Sequence, residues 1–160
     1  MFQGRLLAIA ICAESKLPMQ GVAAVEASAG RGLAGDRYLL GKGVGQKQIA
    51  RSEQAVTLIE SEAIEAAARD YKLPVAHLDT RRNLLTQGVP LNHLIGREFY
   101  VGSAIFRGLE LCEPCGHLER LTWAGMKAAL LHRGGLRAEI IQGGNLRVGD
   151  VIRLTSNADM

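Results

Sequence analysis

The segment Cys112-Glu113-Pro114-Cys115-Gly116-His117 concentrates the groups of this chain most able to do chemistry. It follows an apolar run that reads as a strand and precedes a helical pattern. A cysteine at such a junction lies near the positive end of the helix dipole, which favours the thiolate. A thiolate ligates metals and attacks sulfur. Three chemistries fit the residue types. Cys112 and Cys115 could form a dithiol redox pair, but that pair belongs with a βαβ context that the pattern does not show. Cys112, Cys115 and His117 could hold zinc, but structural zinc takes four ligands, and Cys12, His77, His93 and His132 are scattered without pair spacing. Or one thiolate is functional and the other packs at the strand end. Against all three stands plain packing of both thiols as small hydrophobes, the default for the motif alone.

Two other clusters could bind anions. In Arg81-Arg82-Asn83, adjacent arginines can meet a phosphate with forked hydrogen bonds, and the asparagine amide can offer donor and acceptor to a heterocycle edge. The alternative is two solvated arginines beside a turn. If the segment is a strand, the two arginines face opposite ways, so one of them at most points to a given site. In His132-Arg133-Gly134-Gly135 the glycines allow a backbone anion nest, with Arg133 adding charge, although a helix C-cap explains the same residues. Gly35-Asp36 and Gly149-Asp150 read as turns. Lys42 and Lys47 read as loop residues with a minor option of anion contact. No P-loop or nucleophile-elbow motif occurs.

The elements that must position these groups are mostly strands. The 160 residues fit one domain spanning 1–160, and 48% hydrophobic with 22% charged residues is ordinary for a globular chain. Aromatics at 4% and a net charge of +3 argue against a nucleic-acid platform, which needs exposed rings and clustered base. Three cysteines cannot all pair internally, and the short apolar run near the N-terminus is too brief to span a bilayer. A cytoplasmic chain with reduced thiols and no membrane partner is expected.

Strands are expected at Arg5 to Cys12, Met19 to Ala27, Val56 to Ile59, Asn83 to Thr86, Phe99 to Val101, Ile105 to Leu111, around Ala138 to Ile140, and at Val151 to Leu154. The glycine-dense stretch Gly30 to Gly45 predicts turns and no packed helix. A helix is expected after Ser61 as N-cap, with Ile64, Ala67, Ala68 and Tyr71 on one apolar face and Pro74 closing it. A second follows Cys115, with Leu118, Leu121, Thr122, Met126 and Ala129 on one face and Gly125 as its weak point. The sum is a mainly β or α+β fold, a barrel or sandwich with two or more inserted helices.

The ordered set of motifs resembles the MOSC family, found at the C-terminal end of molybdenum cofactor sulfurases and as a stand-alone domain. The stretches are Ser15-Lys16-Leu17-Pro18-Met19, Gly32-Leu33-Ala34-Gly35-Asp36-Arg37-Tyr38, Val56-Thr57-Leu58-Ile59 and Arg82-Asn83-Leu84-Leu85-Thr86-Gln87-Gly88. Leu94-Ile95-Gly96, Glu113-Pro114-Cys115, Arg133-Gly134-Gly135 and Gly149-Asp150-Val151-Ile152 complete it. The resemblance implies a MOSC-type β-barrel and a molybdenum–molybdopterin cofactor or its sulfur held through one cysteine, here Cys115. Soft thiolates suit such a centre, though spacing does not name the metal. It further implies cofactor contacts from Arg81 and Asn83, with Arg82 a neighbouring option. Arg133, Gly134 and Gly135 are added from chemistry as a further anion contact. Reduction of N-oxygenated compounds, given an electron-donor protein, is one implied activity. A metal-free persulfide carrier fed by a cysteine desulfurase is the other, and a non-catalytic binding module is the third reading. No pyridoxal-phosphate domain is expected on this chain, and Cys112 keeps open a disulfide or sulfur hand-off with Cys115.

Overall fold

The computed structural model describes residues 1–41 and 55–156. Lys42 and Lys47 lie outside the described residues. Among the described residues, seven strands close a barrel. They are β1 (Gln3–Ile11), β5 (Val56–Glu60), β6 (Leu84–Gln87), β7 (Glu98–Val101), β8 (Ala104–Leu111), β9 (Leu136–Gln142) and β11 (Val151–Leu154). Their order is β11-β7-β8-β9-β5-β6-β1, and β1 returns to β11 through Gln3↔Arg153 and Arg5↔Val151. A short β2 (Gln20–Val22) extends the far end of β1. A separate sheet joins β10 (Gly144–Arg147), β3 (Ala24–Ser28) and β4 (Gly32–Leu33).

Period-two burial builds this barrel. Strand β8 alternates inward Ala104, Phe106 and Gly108 with half-exposed Ile105, Arg107 and Leu109. Phe99 and Phe106 meet edge to face inside, centroids 5.9 Å apart, among Leu6, Ile9, Leu58, Leu84 and Leu136. Strand β5 does not alternate: Val56 to Ile59 are all buried. One face points into the barrel. The other, carrying Ile59, lies under helices.

All barrel pairings are antiparallel except β5 with β6. Parallel neighbours need a crossover, and α2 (Ser61–Tyr71) with α3 (His77–Thr80) supplies it. Ile64 and Ala67 of α2 pack with Leu118 of α4 (Gly116–Leu121) and with Met126 and Ala129 of α5 (Met126–Ala129), a second core outside the barrel.

Several boundaries differ from the sequence expectation. The expected strand Met19 to Ala27 divides into β2 and β3, which belong to different sheets. The helix after Cys115 divides in two: α4 ends at Leu121, where Thr122 leaves the helical region, and α5 starts after left-handed Gly125 (φ +94°), with Leu121 left exposed. Within the glycine-dense stretch a four-residue α1 (Arg37–Leu40) forms, capped by the Asp36 carboxylate and ended by left-handed Gly41. The N-cap of α2 is Glu60 rather than Ser61, and the Ser61 hydroxyl is buried without a hydrogen-bond partner. Tyr71 leaves the apolar face of α2 for solvent.

Candidate functional site

Leu111, Leu136, Leu58, Leu84 and Ile9 stand side by side across five adjacent strands. Cys112 follows β8, Gly135 precedes β9, Asn83 precedes β6 and Cys12 follows β1. Register sets Cys112 and Gly135 on one side of this row, level with Ile59, and Asn83 and Ala10 on the other, level with Thr57 and Arg137. Strand register thus brings together segments more than a hundred residues apart.

A cavity of about 660 Å³ opens where the arginines before β6 meet the segments that follow β1 and β8. Its wall includes Arg37, Tyr38, Arg81, Arg82, Cys112, Cys115, His117 and Arg137. Its size falls within the roughly 300–1,000 Å³ range of small-molecule sites. Cys115 is the exposed thiol, and it stands at the N-cap of α4 in extended conformation. Cys112 and Cys12 are buried. Residues 112 to 115 contain no turn or bend. Among the described residues no three His, Cys, Asp or Glu side chains converge as a metal-ligand group.

Arg81 closes α3 with a left-handed φ of 60°, which turns the chain so that Arg81 and the next residue, Arg82, both reach the same wall. The Arg81 guanidinium donates to the carbonyls of Leu17 (2.6 Å) and Ser15 (2.8 Å) and toward the Cys12 sulfur (3.7 Å). Arg82 donates to the carbonyls of Gly134 (2.7 Å), Cys112 (2.8 Å) and Thr80 (3.4 Å). Both arginines are more than nine-tenths buried, yet these partners are carbonyls and one sulfur. Among the described residues no carboxylate pairs with either.

Asn83 sits behind this wall, fully buried. Its Oδ1 accepts from the Thr57 N–H (3.0 Å) and hydroxyl (3.1 Å), and its Nδ2 donates to the Ala10 carbonyl and Asp36 Oδ1, both at 3.1 Å. That is the full capacity of an amide side chain. Arg133 points away from the cavity, to the Ala129 carbonyl (2.7 Å) and Asp70 (3.2 Å). Gly134 and Gly135 lie in the backbone packing behind Cys112. A side chain at Gly134 would collide with the Cys112 carbonyl, and one at Gly135 with the Leu58 carbonyl. Of the residues singled out from sequence, Cys115, Arg81 and Arg82 line the cavity, and Asn83, Arg133, Gly134 and Gly135 do not.

Arg37, Tyr38 and Arg137 also line the cavity, and residue type alone did not single them out. Arg37 is buried and pairs with Asp36 at 3.2 Å, and it donates to the Arg81 carbonyl at 2.9 Å. Burial pushes the Asp36 carboxyl above the usual carboxylate range, against the pull of Arg37 and of donors from Cys12, Tyr38 and Asn83. Asp36 was read as a turn residue, and it is also the hub that ties α1 to β1 and β6. The Tyr38 ring lies between two guanidinium carbons, Arg37 at 4.5 Å and Arg137 at 5.5 Å from its centroid. Arg137 also donates toward the Cys112 sulfur at 3.6 Å. Burial works against the Arg137 charge, but Cys112, Tyr38 and Glu110 outweigh it and its pKa stands above the ordinary value. The Gly-Asp-Arg-Tyr run was the available signal, because a short helix opened by Asp36 aims its next two residues together.

The MOSC domain sequence model matches residues 35–153, nearly three-quarters of the chain and every element that lines the cavity except the Ser15 loop. The chain belongs to the MOSC domain family. YuaD of Bacillus subtilis shares the fold at a TM-score of 0.74 and 15% identity, over 95% of this chain and 97% of its own. YiiM of Geobacillus stearothermophilus matches at 0.72 and 16%, over 96% and 75%, and YiiM of Escherichia coli at 0.66 and 18%, over 98% and 71%. A search of curated protein sequences gives no match. The MOSC barrel is thus the frame, and the thiol and the arginines are set on the segments that join its strands. Among the described residues no helix is long and apolar enough to cross a membrane.

Proposed function

We propose that this MOSC domain binds a molybdenum–pterin cofactor in this cavity, with Cys115 as the sulfur ligand. One observation carries the reading: Arg81 and Arg82 are buried at the wall of a cavity that Cys115 also lines, with no carboxylate partner among the described residues. Buried charge is costly unless paired. An anionic ligand in the cavity supplies the missing partner, and a phosphate-bearing pterin has that charge.

The donor set fits such a group. One exposed thiol offers one soft ligand and no closed ring of protein ligands, which leaves the metal's other positions to the cofactor itself. When bound, the cofactor supplies a redox-active metal able to take an oxygen atom from an N-oxygenated compound. The chain's own residues bind and orient. Arg81 and Arg82 hold the Ser15–Leu17 loop and the Cys112 carbonyl in place while facing the anion. Arg137 adds positive charge to the cavity lining, beside Cys112 and Tyr38. Pterin fluorescence after oxidation, in protein purified from a cofactor-producing host, tests the anion role. Wild type is expected to carry pterin, and Arg81→Ala with Arg137→Ala to lose most of it. Equal pterin in both proteins would overturn the assignment.

The exposure of Cys115 favours a second reading, carriage of a persulfide sulfur for a partner such as a cysteine desulfurase. Intact mass after treatment with a sulfur donor would then show one added sulfur atom, absent in Cys115→Ser. No adduct with any donor would remove this reading.

A further inference from the structure

A second hollow of about 320 Å³ adjoins the main cavity, and Arg81 lines both. Three segments contribute to both. The Ser15 loop gives Ser15 to the cavity and Leu17 to the hollow. The α3 segment gives Arg81 to both and Leu78 to the hollow. Helix α4 gives His117 to the cavity and Leu121, one turn further on, to the hollow. The floor is therefore continuous from the Cys115 thiol across Arg81 to three leucines.

Those leucines are unusual for the chain. Leu17, Leu78 and Leu121 are each between 40% and 50% exposed, come from three distant segments, and converge on one concavity. Scattered apolar exposure needs no explanation, but a convergent set in a concave site beside a polar cavity does. Lys16, Pro18, Met19, Asp79 and Thr122 complete the hollow. A polar end anchored at the arginines would lead any attached chain over the leucines.

We propose that this hollow is a specificity subsite for the apolar arm of a small amphiphile, whose anionic or polar end lies in the arginine-lined cavity. The inference rests on the reading of that cavity as an anion site, and it does not require molybdenum. A ligand held only by its head would use the cavity alone. A ligand with an alkyl or aryl arm would cover Leu17, Leu78 and Leu121 as well, which gives the domain discrimination between head groups that carry an arm and those that do not.

The test uses purified protein and a series of n-alkyl phosphates from methyl to octyl, with inorganic phosphate as the bare head group, titrated by calorimetry. Each methylene that leaves water strengthens binding by up to roughly fourfold, so octyl phosphate is expected to bind at least about tenfold tighter than butyl phosphate. The triple variant Leu17→Gln, Leu78→Gln, Leu121→Gln alters only partly exposed side chains. It is expected to keep the affinity for inorganic phosphate and lose the dependence on chain length. Phosphate binding without any gain from chain length would overturn the subsite and leave the anion site standing. The same gain in the triple variant would overturn it too, because the arm would then lie elsewhere. Failure of every member to bind, inorganic phosphate included, would remove the anchored head and with it both readings.

Discussion

Replacing Asn83 with alanine is expected to loosen the frame behind the site. The side chain makes four hydrogen bonds in a fully buried position, joining β1 through Ala10, β5 through Thr57 and α1 through Asp36. Truncation leaves the Thr57 N–H without this acceptor, a deficit of about 1–3 kcal/mol for a buried donor. The other three bonds add roughly 0.5–1.5 kcal/mol each, partly recovered because the Thr57 hydroxyl can rotate and Asp36 keeps the Cys12 N–H and Arg37. The loss should total about 3–5 kcal/mol, a large share of the roughly 5–15 kcal/mol that holds a domain folded. Equilibrium urea denaturation of wild type and Asn83→Ala measures it, with an unchanged slope as evidence that two-state folding persists. A loss below about 1 kcal/mol would refute the reasoning. Joined to a loss of ligand binding, that result would place the amide in the cavity instead of the frame.

Gly135→Ala should destabilise by at least about 2 kcal/mol, since φ is +112° and the new carbon meets the Leu58 carbonyl; a thermal melt with unchanged midpoint would contradict this. Glu60 has its carboxyl pushed up to about 7, first by burial and then by Glu62. The folded state therefore holds a proton that the unfolded state releases near its ordinary value, so stability falls as pH rises from about 4.5 to 7. Glu60→Gln should remove that slope and exceed wild type by about 1 kcal/mol above the window, after discounting for partial exposure, with no difference below it; parallel urea titrations across the window check this. In the native state an alkylating reagent should modify Cys115 first and Cys12 and Cys112 only on unfolding, read by peptide mass; comparable early labelling of Cys112 would contradict its burial.

Much of the frame was readable in the sequence because burial follows simple periods. Ala138 and Ile140 alternate with Arg137 and Glu139, and β9 buries the first pair and leaves the second half-exposed. The helix after β5 was visible from Ile64 and Ala67, both buried. Local propensity did not reveal how segments divide. Met19 to Ala27 reads as one run, yet its two halves join different sheets, and that choice is made by partners far along the chain. The site was legible where chemistry clusters in sequence, at Cys115 and at the two arginines. The positions of Arg37, Tyr38 and Arg137 were not, because strand register and a four-residue helix bring them to the cavity. The left-handed turn at Arg81 also defeated the strand-based expectation that one of the adjacent arginines must face away.

The central claim, that this MOSC domain holds a molybdenum–pterin group through Cys115, is tested most directly by the molybdenum content of protein purified from a cofactor-producing host, measured by elemental analysis in wild type and Cys115→Ala. Cys115 is exposed, so the variant should fold as wild type does, within about 0.5 kcal/mol. Close to one molybdenum per chain is expected in wild type, with the metal lost from the variant. Equal molybdenum in the two proteins, or none in either, would contradict the claim.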